Sequence, residues 1–328
     1  MKDEEQNDVL GRLFRIAGAR PAVPAETTFR VKEAVEARWK KTVRSRQRRM
    51  SFFISATCIA ASILIFALCR FYLIAPIPQA VPIGFVQVLK GKVSATSVEM
   101  NGAPVELTRG ATLFSNTQIA SGSGHVLIHL LNGVLVQMDV DSRMQLNSES
   151  ALLLQQGAAY LDCGRAAKSI ELKTLLGTVK DEGTQFEVRL QNGKMHVTVR
   201  EGSVFLTQQG IQRTVKAGKQ LIVDQKGGAI YGDVSTYGPH WDWLSEVRPS
   251  FRIEGRPLIE FLQWVSRENG WNLAFAEPHI RQSAANIVLH GSLTGLQTSE
   301  MPGAVLPVCG LTYSVENGVF TVKPGKSK

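Results

Sequence analysis

The chain has 328 residues and a formal net charge of +9, from 37 lysines and arginines against 28 acidic residues. Residues 1–49 alone contain thirteen basic and seven acidic residues, so they hold six of the nine net positive charges and the remainder is nearly neutral. Basicity confined to one end argues against a nucleic-acid-binding protein, which needs a basic surface on a folded domain. The length predicts two or three domains.

Two short amphipathic helices are predicted within residues 1–49, on either side of a proline-containing turn at residues 20–24. Each helix has one apolar stripe and one charged face. Helices this short cannot bury both stripes on each other, so the stripes need another protein, a second copy or the inner membrane surface as a partner. A basic tail lying on lipid is the plainer alternative. The stripes include Leu10, Leu13, Phe14, Val31, Val35 and Trp39.

Residues 51–68 form an apolar run, SFFISATCIAASILIFAL, without charge or proline. About twenty such residues cross a bilayer as a helix, so a transmembrane helix is predicted over residues 50–75. A buried core helix is the alternative, but such a helix would carry a more polar face. Basic residues concentrate before the run, which predicts that residues 1–49 are cytoplasmic and the rest exported. A cleavable signal peptide is a rival, although its charged region would be far too long.

Prolines at 76, 78 and 82 predict an extended stalk over residues 76–83. From 84 to 226 short β-type runs alternate with turns, and no segment of helical periodicity interrupts them. Asn132-Gly133 and Asn192-Gly193 lie between such runs and have the composition of hairpin turns. The segment is predicted to be an all-β domain, either a sandwich, a barrel or a flattened β-solenoid.

Within this segment, Gly177–Leu206 contains Gly183-Thr184, then Phe186 and Val188, and after a hairpin Glu201-Gly202. This pattern resembles the central signature of the FecR family of bacterial transmembrane signalling proteins. A departure is Leu175, where a proline commonly follows the preceding threonine. The signature positions read as residues that shape the fold, because its glycines mark turns and its apolar residues share one face of a strand. They are Gly183, Thr184, Phe186, Val188, Glu201 and Gly202.

Residues 227–250 are predicted to be a linker, in which Trp241 and Trp243 pack against a neighbouring domain, with contact to a ligand as the alternative. Residues 251–324 are predicted to form an α+β domain of two βαβ units, with a helix that starts after Pro257 and stops at Asn269-Gly270. The segment resembles the short N-terminal domain shared by secretins and TonB-dependent transducers. The resemblance depends on Ile253, Pro257-Leu258, Leu262, Gly270, Gly291, Gly310-Leu311 and Tyr313.

No pattern of catalytic or metal-ligating residues emerges, so the sequence predicts a non-enzymatic protein without metal or cofactor. His125 and His129 share one face of a strand but lack accompanying carboxylates or thiols in a metal-site pattern. Cys58 and Cys69 lie in the apolar run and act as small apolar residues. Cys163 and Cys309 fall in different predicted domains, which favours free thiols over a disulfide.

The FecR resemblance implies a multi-domain protein of the bacterial inner membrane that senses an envelope signal and regulates a cytoplasmic sigma factor of the extracytoplasmic-function class. It further implies an outer-membrane TonB-dependent transporter as a possible envelope partner. The contact with the sigma factor is predicted on the apolar stripes of residues 1–49. The main alternative is a membrane-anchored envelope binding or scaffold protein without sigma-factor contact, and a third is a soluble enzyme with an apolar core helix.

Overall fold

The computed structural model describes residues 29, 32–36, 38–39, 62–66, 80–97, 102–164, 169–181 and 183–325. The chain divides into two units, Met1–Gln79 and Ala80–Lys328.

In the first unit the described residues are helical. No helix among the residues described is both long and apolar enough to cross a bilayer. Most of the predicted span, residues 50–75, and the first half of the predicted stalk, residues 76–79, lie outside the described residues. The rest of the predicted stalk is described, and it is shorter than predicted because the first strand already begins at Pro82. Proline is tolerated at the first residue of a strand, so its presence there does not extend the stalk.

Seventeen strands build the first part of the second unit, which is the predicted all-β segment. Six runs in the sequence have the clearest strand composition, and each overlaps a strand. These runs are residues 85–89, 125–130, 134–138, 186–190, 195–200 and 204–207. The bounds are β1(Pro82–Lys90), β2(Ser94–Ser97), β3(Val105–Glu106), β4(Thr112–Phe114), β5(Thr117–Ala120), β6(His125–Leu130), β7(Leu135–Met138), β8(Arg143–Ser148), β9(Ala151–Asp162), β10(Glu171–Thr174), β11(Gly177–Asp181), β12(Gln185–Gln191), β13(Lys194–Glu201), β14(Ser203–Gln208), β15(Ile211–Lys216), β16(Lys219–Asp224) and β17(Ala229–Asp233).

The strands form one curled sheet that folds into two layers sharing β9. The first half of β9 pairs with β8 and β10, whereas its second half pairs with β7 and β12. The change occurs at Gly157, whose φ is +78° and whose added Cβ would lie 2.5 Å from the Cα of Ser142. Only glycine combines this backbone conformation with so close an approach of another strand.

A structural unit occurs twice in this sheet. In each copy, a strand of one layer leads to a hairpin in the other layer and then to a strand antiparallel to the first. The first copy is β5 to β8 and the second is β11 to β14. The second hairpin turns at Asn192 and Gly193, with φ of +53° and +70°, as its sequence predicts. The inner faces of both layers meet in one apolar core.

The segment predicted as a linker, residues 227–250, is ordered and extends the sheet domain. It contains β17, which pairs with β16, and a 3-10 helix, Pro239–Val247. Its glycines indicate a flexible connection, but Gly227 and Gly238 have φ of +84° and +86° and form tight turns. Sequence composition alone cannot distinguish these two uses of glycine.

The C-terminal domain has the predicted α+β composition, with one helix more than predicted. Its elements are β18(Arg256–Pro257), α1(Leu258–Asn269), β19(Asn272–Phe275), α2(Pro278–Asn286), β20(Val288–Leu289), α3(Met301–Val305), a 3-10 turn Pro307–Cys309, β21(Leu311–Glu316) and β22(Val319–Pro324). Strand β22 lies between β19 and β21, and β18 pairs with β20. The two-turn helix α2 buries only Ile280 and Ala284, which is too little apolar periodicity to predict it.

Helix α1 begins and ends where the sequence predicts. Pro257 precedes its first turn, and Gly270 terminates it in the left-handed conformation. By sequence, Phe251 and Ile253 alternate as in a short strand, but no strand forms there, and Phe251 stacks on Trp264 of α1 at a ring distance of 5.1 Å. A residue with one strong aromatic contact on a helix does not need a strand partner to be buried.

Candidate functional site

The six signature residues lie on the β12–β13 hairpin and its flanks. Phe186 and Val188 are fully buried in the sheet core. Gly183 and Gly202 flank the open end of the hairpin with φ of +78° and +81°. A Cβ on Gly202 would lie 2.7 Å from Cγ2 of Thr184, so glycine is required for the two turns to pack together.

Glu201 differs from the other signature residues because it contacts the C-terminal domain. It lies at the end of β13, opposite Gln185 of β12. Its carboxylate is 2.5 Å from a guanidinium nitrogen of Arg267 in helix α1. The signature therefore reaches the junction between the sheet domain and the C-terminal domain.

Arg267 is the central residue of this junction. Its guanidinium also forms a two-point contact with Asp162 at the end of β9, with N–O distances of 2.5 and 3.3 Å. Asp162 accepts further hydrogen bonds from the Gln185 side chain at 2.8 Å and the Gly164 amide at 3.0 Å. Burial lowers the pKa of Arg267, but the hydrogen bond and charge of Asp162 outweigh it, so the net pKa is raised. The Arg267 guanidinium therefore stays charged at any accessible pH.

A second contact joins the end of α1 to the chain just after β17. The Arg200 guanidinium donates to the carbonyl of Thr236 at 2.8 Å and lies over the ring of Trp241 at 5.1 Å. The Thr236 hydroxyl donates to the carbonyl of Gly270 at 3.0 Å. A Cβ on Gly270 would overlap the Thr236 carbonyl, so the helix end and this segment fit only with glycine there. Arg200, like Arg267, thus helps position the C-terminal domain.

Charged groups behind α1 complete the junction. Arg248 donates to the carbonyl of Glu268 at 3.2 Å and to the side chain of Asn269 at 3.3 Å. Burial raises the pKa of Glu268 to about 7, and the negative charge of Asp162 adds to the shift. Glu268 is therefore the junction residue whose charge changes near neutral pH.

A cleft of about 780 Å³ opens along the junction. The tryptophans of α1 and the loop after it contribute apolar surface, while the arginines and the signature carboxylate contribute charge. The hydroxyl of Ser266, which lies in the wall, is buried without a hydrogen-bond partner among the described residues. The principal lining residues are Arg200, Glu201, Gly202, Trp264, Ser266, Arg267 and Trp271.

A separate polar network holds the 3-10 helix on the outer face of the sheet. Glu187 is buried between the signature residues Phe186 and Val188, and its carboxylate is 2.8 Å from Nε2 of His240. Its other oxygen is 2.7 Å from Arg189. Burial raises the pKa of Glu187, but the His240 hydrogen bond and the Arg189 charge hold it below its ordinary value.

The two tryptophans of this segment pack as predicted. Trp241 is buried, donates to the carbonyl of Ser235 at 2.8 Å and meets the ring of Tyr160 edge-on. Trp243 lies within 5.7 Å of the Arg189 guanidinium.

Sequence reasoning missed Arg267, Asp162 and Glu187. Asp162 and Arg267 are 105 positions apart, and nothing local marks them as partners. Glu187 follows strand alternation with Phe186 and Val188 inward, which predicts a solvated carboxylate. The alternation itself is correct, but the 3-10 helix covers that outer face.

The predicted sigma-factor contact lies partly outside the described residues. Val35 and Trp39 are described, and both are exposed helical residues. Leu10, Leu13, Phe14 and Val31 lie outside the residues that the structure describes.

The cysteines and histidines form no reactive cluster in the described part of the chain. Cys163 and Cys309 are free thiols, and burial raises the pKa of Cys163. Cys58 and Cys69 lie outside the described residues. His129 packs on Phe85, and no group of metal-ligating side chains occurs among the described residues.

Comparisons with known proteins find a match to one family within the sheet. The family described as FecR protein matches residues 116–205, from the turn before β5 into β14, and thus includes every signature residue. Two crystal structures of a candidate anti-sigma factor from Parabacteroides distasonis are similar at 17% identity, with TM-scores of 0.35 and 0.34. They cover 64% and 63% of this chain and 99% and 97% of their own. No curated protein sequence matches the chain.

Proposed function

We propose that this chain is a single-pass regulator of the bacterial inner membrane that passes an envelope signal to a cytoplasmic sigma factor. The observation that carries the proposal is the FecR match over residues 116–205, which contains a signature reaching the domain junction. The apolar run 51–68 behind a basic segment supports the membrane topology. Such a protein transmits binding information, and it needs no catalytic group.

In this proposal, the signal is the binding of an envelope protein to the C-terminal domain. An outer-membrane TonB-dependent transporter is one such partner. Binding can change the sheet domain only if the partner prefers one arrangement of the junction over another. The junction suits this role because its contacts are charged and few, centred on Arg267 with Asp162 and Glu201. Polar interfaces between domains reorient more readily than large apolar ones.

The output in this proposal is the apolar stripe of residues 1–49. Val35 and Trp39 expose 60% and 68% of their surface, which leaves a large apolar area available to a partner. The sigma factor would contact these two residues together with Leu10, Leu13, Phe14 and Val31. Burying both described side chains contributes favourable free energy of several kcal/mol, roughly 1.5–3 per side chain.

Co-purification from the native host tests the sigma-factor contact. The full-length chain carries a tag, and the double variant Val35→Asp with Trp39→Asp places charge on the stripe. We expect the wild type to retain a sigma factor and the double variant to lose it, with matching changes in the transcripts of that factor. The control is Lys32→Ala, on the same described helical stretch. Equal recovery with all three chains, or no sigma factor with any, would refute the contact.

A reporter fused after Lys328 tests the topology and separates the alternative. A phosphatase that is active only when exported should be active there, whereas a cytoplasmic reporter should be inactive. The opposite pattern of reporter activity would place the C-terminus in the cytoplasm and would contradict the proposed topology. The C-terminus could prove to be exported while the Val35→Asp, Trp39→Asp double variant leaves transcription unchanged. That combination would favour the alternative, a membrane-anchored envelope scaffold.

A further inference from the structure

Strand β17 ends one layer of the sheet and leaves an unpaired edge. Its ladder with β16 includes hydrogen bonds from Asp224 to Gly228 and from Val234 to Gly218, at 3.1 and 3.0 Å. In an antiparallel ladder the residues that bond a given neighbour alternate. Residues 228, 230, 232 and 234 therefore face β16, and the backbone groups of Ala229, Tyr231 and Asp233 point outward.

Among the described residues, no further strand and no basic or proline side chain of β17 protects this edge. All five residues of β17 are exposed, and they include no lysine, arginine or proline. Natural edge strands usually carry such residues or a bulge, because a bare edge invites another strand. Strand β15, at the edge of the other layer, has Arg213 and Lys216 and follows that rule. β17 is therefore suited to accept a further strand.

We propose that β17 pairs antiparallel with β17 of a second copy of this chain. One register lets all three outward-pointing residues form backbone hydrogen bonds with the copy. In this register Tyr231 lies opposite Tyr231 of the copy, and Ala229 lies opposite Asp233 of the copy. Each such pair exchanges two backbone hydrogen bonds. The layer would then continue across the two-fold axis of a symmetric dimer, in which the same strand serves both partners. This inference does not depend on the proposed signalling function.

The side chains of β17 fit this pairing with itself. In the same register Ile230, an exposed residue, lies opposite Gly232 of the copy in a close, non-hydrogen-bonded pair. Gly232 has no positive φ, and a Cβ there would meet nothing within 4 Å, so its own fold does not require glycine. A missing side chain opposite an exposed isoleucine provides the space that such a close pair needs.

The charges also favour a second copy over a strand of another protein. Asp233 is the only charged residue of β17, and it is paired with Lys219 of its own chain. In the symmetric register it faces Ala229, so the two Asp233 carboxylates lie at opposite ends of the joined strands. No like charges oppose each other, and such opposition is what destabilises cross-strand pairs. An unrelated strand would gain the backbone bonds but not the match of Ile230 with Gly232.

A cysteine at the two-fold axis tests the pairing directly. Opposed residues of a hydrogen-bonded pair have Cα atoms about 5.5 Å apart, which lies within the range of a disulfide. Full-length Tyr231→Cys in detergent should form cross-linked dimers under mild oxidation, well above the wild type with its four native cysteines. The control is Val308→Cys, at an 88% exposed site of the C-terminal domain, which should stay at the wild-type level.

Sedimentation equilibrium of full-length variants completes the test. Tyr231→Pro removes an outward amide and leaves the bonds to β16 intact, so it should weaken dimerisation at least about tenfold. Tyr231→Phe keeps the backbone and should dimerise as the wild type. Circular dichroism checks that the proline variant is folded. If that variant is unfolded, the cross-linking of Tyr231→Cys alone decides whether β17 pairs with its copy. A monomeric wild type, a dimer insensitive to Tyr231→Pro, or cross-linking no higher than with Val308→Cys would overturn the proposal.

Discussion

Replacing Arg267 by alanine should loosen the C-terminal domain from the sheet domain. The guanidinium is 23% exposed and its partner Asp162 is 13% exposed, so the pair lies between the surface and the interior. Surface ion pairs contribute about 0.2–1 kcal/mol, whereas breaking a buried one costs about 3–5. We therefore expect a loss of about 2–3 kcal/mol, because Asp162 and Glu201 would be left without their cation.

The assay is urea unfolding of the full-length chain in detergent, with tryptophan fluorescence as the signal. Thermal unfolding should show a drop of roughly 5–10 °C, since about 1 kcal/mol shifts a domain of this size by about 2–4 °C. Hydrogen exchange should rise at the amides around Thr236 and Gly270, which lie in the second contact of the junction. Increased exchange there distinguishes a loosened junction from general destabilisation.

The matched control is Arg256→Ala. Arg256 belongs to the same domain and pairs with Glu260 one helical turn away, but the two side chains are 58% and 43% exposed. Its removal should cost no more than about 0.5 kcal/mol. If Arg267→Ala proves no more destabilising than this control, or if Arg267→Ala combined with Asp162→Asn is strictly additive, the ion pair does not hold the junction.

Three further predictions concern single positions. Gly270→Ala should cost more stability than Gly310→Ala, by at least about 1 kcal/mol in urea unfolding, because both have φ of +69° but only the first would strike a neighbouring carbonyl. Glu268→Gln should match the wild type near pH 4 and exceed its stability by about 1–3 kcal/mol near pH 8. The folded pKa of about 7 lies above the unfolded value of about 4.3, so this stabilisation is present at low pH and is lost as pH rises through 7. Gly157→Ala should prevent accumulation of folded protein, measured by soluble yield and circular dichroism, because its Cβ would strike Ser142; normal yield would refute the bend at β9.

Local chemistry was sufficient to predict several of the strands, the turn between β12 and β13 and helix α1. Asn192-Gly193 adopts the positive φ values that its composition predicts, and α1 lies between Pro257 and Gly270 as expected. These features depend on residues within a few positions of one another, so the sequence contains all the information they need.

The sequence could not predict which residues of the sheet are contacted by the 3-10 helix after β17 and by helix α1. The sequence pattern predicts a solvated Glu187, but the 3-10 helix that contains His240 covers its side chain. Arg267 contacts Asp162, which is 105 positions away in the sequence, only in the folded protein. Neither contact has a local signature. The sequence pattern around a charged side chain on a strand or helix is the same whether that side chain faces water or a partner residue.

The sequence alone therefore determined a chain of distinct segments: a basic end, an apolar run, an all-β region with a FecR-like signature and an α+β end. Periodicity, charge and turn composition are properties of neighbouring residues, and they survive without any tertiary contact. Only the folded structure decided that Glu201 joins Arg267 at a domain junction, that β9 serves two layers, and that the edge of β17 is left open. Those outcomes depend on which distant residues come within a few ångströms of each other, and that proximity exists only once the strands have paired.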